Sequence, residues 1–115
     1  LPVFAADRGF TTSHQFALEA ARFGGGQAAA KRLRQANILS CGIGLPLPEI
    51  AGDMNGLRLG TPEIVRWGMT TRDMPELAGL IAAALADPAG PAAVAPAVSA
   101  FRRRYRSLHY IRGGA

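Results

Sequence analysis

Asn55-Gly56-Leu57-Arg58-Leu59-Gly60-Thr61-Pro62-Glu63-Ile64-Val65-Arg66-Trp67 runs on into Gly68-Met69-Thr70-Thr71-Arg72-Asp73-Met74-Pro75-Glu76-Leu77-Ala78. Asn55-Gly56 is a strong turn signal. Leu57-Arg58-Leu59 alternates apolar and charged, which predicts a strand with Arg58 facing away from both leucines. Gly60-Thr61-Pro62 interrupts that strand, and Glu63 to Trp67 reads as a further extended or irregular path. Thr70 with Asp73, and Asp73 with Glu76, both match a capping box. Pro75 prefers the first helical turn, which favours Asp73 as the main cap. Leu77, Leu80, Ile81, Ala84 and Leu85 then recur at helical spacing and predict a core-facing stripe. Asp87-Pro88-Ala89-Gly90-Pro91 ends that helix. A final helix is expected from about Ala93 to Tyr110, stopping at Gly113-Gly114.

Working upstream, Gly42, Gly44, Pro46 and Pro48 force a loop before Asn55. Ile38 and Leu39 open an apolar segment that reads as a strand. Gln27 to Asn37 is rich in helix formers, with Ala29, Leu33 and Ala36 on one face. Gly24-Gly25-Gly26 precedes it. Such a run can cradle phosphate at a helix start or act as a flexible entry. It lacks the Gly-Lys-Ser/Thr ending of a phosphate loop, which favours the entry. His14 to Ala20 reads as a half-buried strand, Asp7-Arg8-Gly9 as a turn, and Leu1 to Ala6 as a short extended run. The predicted order is strand, strand, helix, strand, strand, helix, helix. That is an α+β class, with a small antiparallel or mixed sheet covered by helices on one face.

Composition bounds the function. The chain has 115 residues and 12.1 kDa, enough for one small domain. It is 49% hydrophobic and 18% charged, with mean hydropathy +0.11, which is too apolar for a disordered chain. The apolar run Gly79 to Ala86 falls far short of the about 20 residues that span a bilayer. Leu1 to Ala6 has no basic lead-in and does not read as a signal peptide. The start at Leu1, without Met and in an extended run, reads as a boundary within a larger protein. The net charge is +5, and every basic residue except Lys31 is arginine. Arg102, Arg103, Arg104, Arg106 and Arg112 cluster near the end. They read as a solvated helix face, with a basic nucleic-acid surface as the lesser alternative. The single Cys41 excludes an internal disulfide and fits a reducing compartment such as the cytoplasm. His14 and His109 lack metal-ligand spacing, so no metal site is expected.

The block Gly56 to about Leu85 resembles the C-terminal domain of serine hydroxymethyltransferases, pyridoxal-phosphate enzymes of fold type I. Their signature runs Gly, Ile, Arg, an aliphatic residue and Gly-Thr-Pro-Ala. A Thr/Arg-rich turn and a helix opening on Asp-Met follow. Thr11-Thr12-Ser13-His14 and Ala36-Asn37-Ile38 match further segments, so the resemblance covers residues 3 to 87, with weaker support to Tyr110. It implies a C-terminal small domain whose partner is the large cofactor-binding domain of the same enzyme, in a homodimer. It also implies the cofactor pyridoxal phosphate, with tetrahydrofolate as a further candidate. The implied activity is one-carbon transfer or aldol cleavage of β-hydroxy amino acids.

Within that resemblance Arg58 matches the arginine that binds the substrate α-carboxylate. A planar guanidinium suits this, because it holds a carboxylate in two parallel hydrogen bonds. Gly60-Thr61-Pro62 is expected to shape the turn that aims Arg58, and Arg66 is expected to be structural. Two departures stand out. Ser40-Cys41-Gly42-Ile43-Gly44-Leu45-Pro46 occupies the place of an Asn-Lys-Asn segment that helps to form the folate site. A folate-independent aldolase or transaldolase, including a relative acting on α-methylserine, therefore stands as the alternative. The cofactor lysine is also missing, because Lys31 lies in a helix pattern without the Thr-His-Lys context. The 115 residues alone are therefore expected to be inactive.

Overall fold

The computed structural model describes residues 1–113. Its sheet has three strands: β1 (Gln15–Glu19), β2 (Cys41–Ile43) and β3 (Gly56–Gly60). β3 is central, and both neighbours pair with it antiparallel, in the order β1-β3-β2. Leu57 and Leu59 of β3 and Leu18 of β1 point into the core, while Arg58 is exposed. This is the outcome that alternation predicts.

Helix α1 (Gly26–Gln35) lies on the inner face and buries Ala29 and Leu33. Helices α3 (Met74–Ala86) and α4 (Pro91–Arg102) follow a short α2 (Pro62–Arg66). Ile81, Ala84 and Leu85 of α3 join Val94 and Val98 of α4 and the α1 and sheet residues in one hydrophobic cluster. The expected α+β layering, a sheet covered on one face, is what forms.

Several local expectations differ. The run Leu1 to Ala6 is no full strand. Pro2 and Phe4 bond along the free edge of β1 (Glu19 N–H to Pro2 O 2.8 Å, Phe4 N–H to Ala17 O 2.8 Å) before Ala5 turns away at φ 63°. The second strand starts at Cys41, not Ile38. Asn37 is left-handed at φ 64°, and Ile38 N–H bonds back to Leu33 O at 2.9 Å. Asn37 N–H reaches Arg34 O at 3.0 Å, so this stretch is a Schellman stop for α1.

Asn55-Gly56 is not a hairpin turn, because Gly56 already belongs to β3. Asn55 is buried, and its side chain acts as loop scaffold. Its Oδ1 accepts from Leu45 N–H at 2.7 Å, and its Nδ2 donates to Leu45 O and Leu47 O, each at 3.0 Å. Glu63 to Trp67 is not extended, since Pro62 sits in the first turn of α2. Asp73 does stand at the N-cap position of α3, with Pro75 in the first turn, but its side chain makes no cap bond to that helix. It turns back instead, accepting from Thr70 N–H at 2.8 Å, and Thr70 caps the 3₁₀ turn Thr71–Asp73.

The last helix stops at Arg102 rather than Tyr110. Arg102 Nη1 donates to Tyr105 O at 2.7 Å, and the chain folds back so that His109 N–H reaches Arg66 O at 2.7 Å. Gly114, in the expected stop, lies outside the described residues.

Candidate functional site

Arg58 occupies the middle of the central strand, on the face that no helix covers. Its register partners are Ala17 on β1 and Cys41 on β2. Side chains directly opposite across antiparallel strands share a face. The base of the Arg58 side chain is therefore flanked by a methyl and a thiol, with no acceptor in its own row. Among the described residues the side chain makes no hydrogen bond and no ion pair. The Arg58 backbone is fixed by pairing on both edges, while the guanidinium itself is exposed and uncommitted.

The following turn is scaffold, as expected. Thr61 N–H and Oγ1 both donate to His14 O, at 2.9 and 3.2 Å, which ties the end of β3 to the entry of β1. Arg66 is committed elsewhere, to Glu63 Oε1 at 3.0 Å in an exposed i,i+3 pair. That carboxylate also accepts from Trp67 Nε1 at 3.0 Å. Among the described residues no group of three or more His, Cys, Asp or Glu side chains is gathered to hold a metal.

The glycine run before α1 has an anion, but an internal one. Gly25 enters the helix at φ 120°, and the Asp53 carboxylate fills the space a Cβ would take. Asp53 Oδ1 accepts from Gln27 N–H at 2.8 Å and Oδ2 from Ala28 N–H at 3.1 Å. A helix start presents unpaired N–H groups, and this carboxylate satisfies them in place of a phosphate. Sequence reading missed Asp53, whose partners lie 26 and 25 positions upstream.

The Gln27 N–H bond, then those of Met54 and Ala28, hold the Asp53 carboxyl below its ordinary 3.8. A lowered folded value means that the ionised form stabilises the fold. That stabilisation is complete above about pH 4 and is lost as pH falls through the folded value. Asp53→Asn should therefore have a lower urea midpoint than the parent at pH 6. The gap should narrow as pH drops below about 4 and close only as pH falls through the lowered folded value, where the native carboxyl protonates. An equal gap at pH 6 and at acid pH would show that the charge is not what holds the helix start.

The residues of this chain do not by themselves fit pyridoxal phosphate. Lys31 is exposed on α1, and α1 covers the inner face of the sheet. Arg58 opens on the opposite face. The sheet separates them, so Lys31 cannot serve a ligand held by Arg58.

The C-terminal arginines are partly committed as well. Arg104 donates to Glu76 at 2.7 and 3.3 Å, and its guanidinium sits 4.6 Å over the Phe101 ring. Arg102 lies 4.6 Å over Trp67. These two fasten the end of the chain onto α2, α3 and α4 instead of presenting a free basic strip.

No protein-family model matches the chain. An α-methylserine aldolase of a Ralstonia species is 67% identical over 112 residues, covering 97% of this chain and 26% of that protein. A serine hydroxymethyltransferase of Aeropyrum pernix is 37% identical over 112 residues, covering 96% and 26%. Among solved structures, the L-threonine transaldolase of Pseudomonas fluorescens superposes with TM-score 0.74 at 29% identity, covering 96% of this chain and 25% of that one. The chain thus spans about a quarter of the length of the relatives it matches. These likenesses correct the expected activity. The serine hydroxymethyltransferase, at 37% identity, is far less similar than the α-methylserine aldolase at 67%, so the expected one-carbon and glycine transfer gives way to the aldolase and transaldolase side. The threonine transaldolase fold points the same way. The chain is a small α+β domain of the fold-type I pyridoxal-phosphate enzymes, related to the α-methylserine aldolases, threonine transaldolases and serine hydroxymethyltransferases.

Proposed function

We propose that this domain binds the substrate carboxylate in a pyridoxal-phosphate-dependent, folate-independent aldolase that cleaves α-methylserine. The carrying observation is Arg58, an uncommitted guanidinium at the centre of an uncovered sheet face. The 67% identity to an α-methylserine aldolase supports the substrate class.

In this reading the chain is the C-terminal small domain, and a large domain supplies the lysine and holds the cofactor. Pyridoxal phosphate held by that domain would supply an electron sink for the pair left on Cα when a Cα–Cβ bond breaks. Arg58 does the positioning. Two parallel hydrogen bonds fix the carboxylate plane, and with it the orientation of the other Cα bonds. Breaking the Cα–Cβ bond of α-methylserine gives formaldehyde, and a proton returned to Cα gives alanine.

The test is the complete enzyme incubated with α-methylserine and no folate. Formaldehyde and alanine should appear in equal amounts. Release that requires added tetrahydrofolate, or no release at all, would reject the reading.

A further inference from the structure

Resting on the carboxylate role of Arg58, we propose that Cys41 is a specificity-determining residue that leaves room for an α-alkyl group on the substrate. Cys41 stands directly opposite Arg58 in the β2–β3 register. Directly opposed antiparallel residues have Cβ atoms about 4.5–5.5 Å apart. Cys41 therefore stands at the foot of the Arg58 side chain and bounds, on the β2 side, the space that a substrate drawn onto this face enters. On the other flank Ala17 offers only a methyl.

A held carboxylate brings the rest of the substrate with it. Its Cα is one bond away and carries three further groups: the amine, the bond that breaks, and a third substituent. In serine the third is hydrogen, and in α-methylserine it is methyl. A side chain beside the guanidinium meets that third group if it projects along the sheet toward β2. Cys41 is half-buried and behaves as a small hydrophobe. It gives a methyl an apolar contact and offers the ammonium no carboxylate to pair with. Ile43, two residues along the same strand and face, pairs with Gly56 and continues the apolar wall. A larger aliphatic side chain at 41 fills the space the methyl needs but leaves hydrogen unhindered.

The experiment compares Cys41→Ala, Cys41→Val and Cys41→Leu in the complete enzyme, with α-methylserine and serine as paired substrates. Retained cofactor absorbance serves as the folding control. One methylene in a fitted pocket is worth roughly 10–200-fold in discrimination. The kcat/KM ratio of α-methylserine to serine should fall at least about tenfold in the Leu variant, by less in Val, and should be held in Ala. If Leu does not retain cofactor, the Val variant decides by the same criterion. Equal losses on both substrates, or no loss in any variant, would overturn the role of Cys41. The reading it rests on fails separately: an Arg58→Lys enzyme with unchanged KM for both substrates removes the carboxylate role, whatever the Cys41 variants do.

Discussion

Arg58→Ala in the complete enzyme should raise KM for the amino acid about a hundredfold or more while the cofactor stays bound. Two charge-assisted hydrogen bonds at about 1.5–3 kcal/mol each set that scale. Lysine keeps the charge but not the fork, so Arg58→Lys should recover only part of the loss. Nothing in the fold depends on this guanidinium, which has no partner among the described residues. Stability of the variant should therefore match the parent, and a matched thermal melt checks it. A large loss of stability would mean that Arg58 is structural, and unchanged KM would mean that it does not touch substrate.

Gly26→Ala should destabilise the fold by about 3 kcal/mol, at the upper end for forced overpacking. Helix propensity alone predicts the opposite sign, since alanine is favoured over glycine by about 1 kcal/mol inside a helix. The reason is contact. A Cβ on Gly26 would run into the backbone oxygen of Gly56 and come within 3.0 Å of Gly42 Cα. Both belong to the sheet, and neither can swing aside as a side chain would. The first turn of α1 would have to lift off β2 and β3, straining the Gly26 N–H bond to Met54 O at 2.7 Å. Gly79→Ala in α3 is the contrast, because nothing lies within 4 Å of its Cβ direction. It should stabilise by about 0.5–1 kcal/mol. Urea denaturation of the pair reads both signs, and stabilisation by Gly26→Ala would refute the close approach.

The legible parts of the sequence were the periodic ones. Leu77 to Leu85 announced α3 by spacing, and Leu57-Arg58-Leu59 announced a strand with its cation turned outward. What stayed hidden depends on distant partners or on competition for the chain. Asp53 and Asn55 sit in a Gly- and Pro-rich loop without period, and their roles exist only once α1 and the loop meet them. The tail from Arg103 to Tyr110 has helix-compatible residues. Its path is decided by the bonds that Arg102 and His109 make to Tyr105 and Arg66. The pairing of Cys41 with Arg58 is a matter of register, which a strand beginning at Ile38 would have misplaced. The family resemblance singled out Arg58 and led with hydroxymethyl transfer, whereas the likenesses favour the aldolase alternative. The lack of an Asn-Lys-Asn segment in the stretch Ser40 to Pro46 was the residue-level sign of that alternative.

Strand order also has a temporal meaning. β3, the strand between the other two, is the last of the three to be synthesised. Until Gly56 to Gly60 leaves the ribosome, β1 and β2 have no strand to pair with, and α1 has no finished floor. A polypeptide ending anywhere before Gly60 therefore carries two unpaired edges and a loose amphipathic helix. Such species are prone to stick to one another. Nascent chains arrested so that Gly60 lies just inside or just outside the ribosome exit should thus differ in how far β1 and β2 resist protease, with full resistance reached only once α3 and α4 have also emerged.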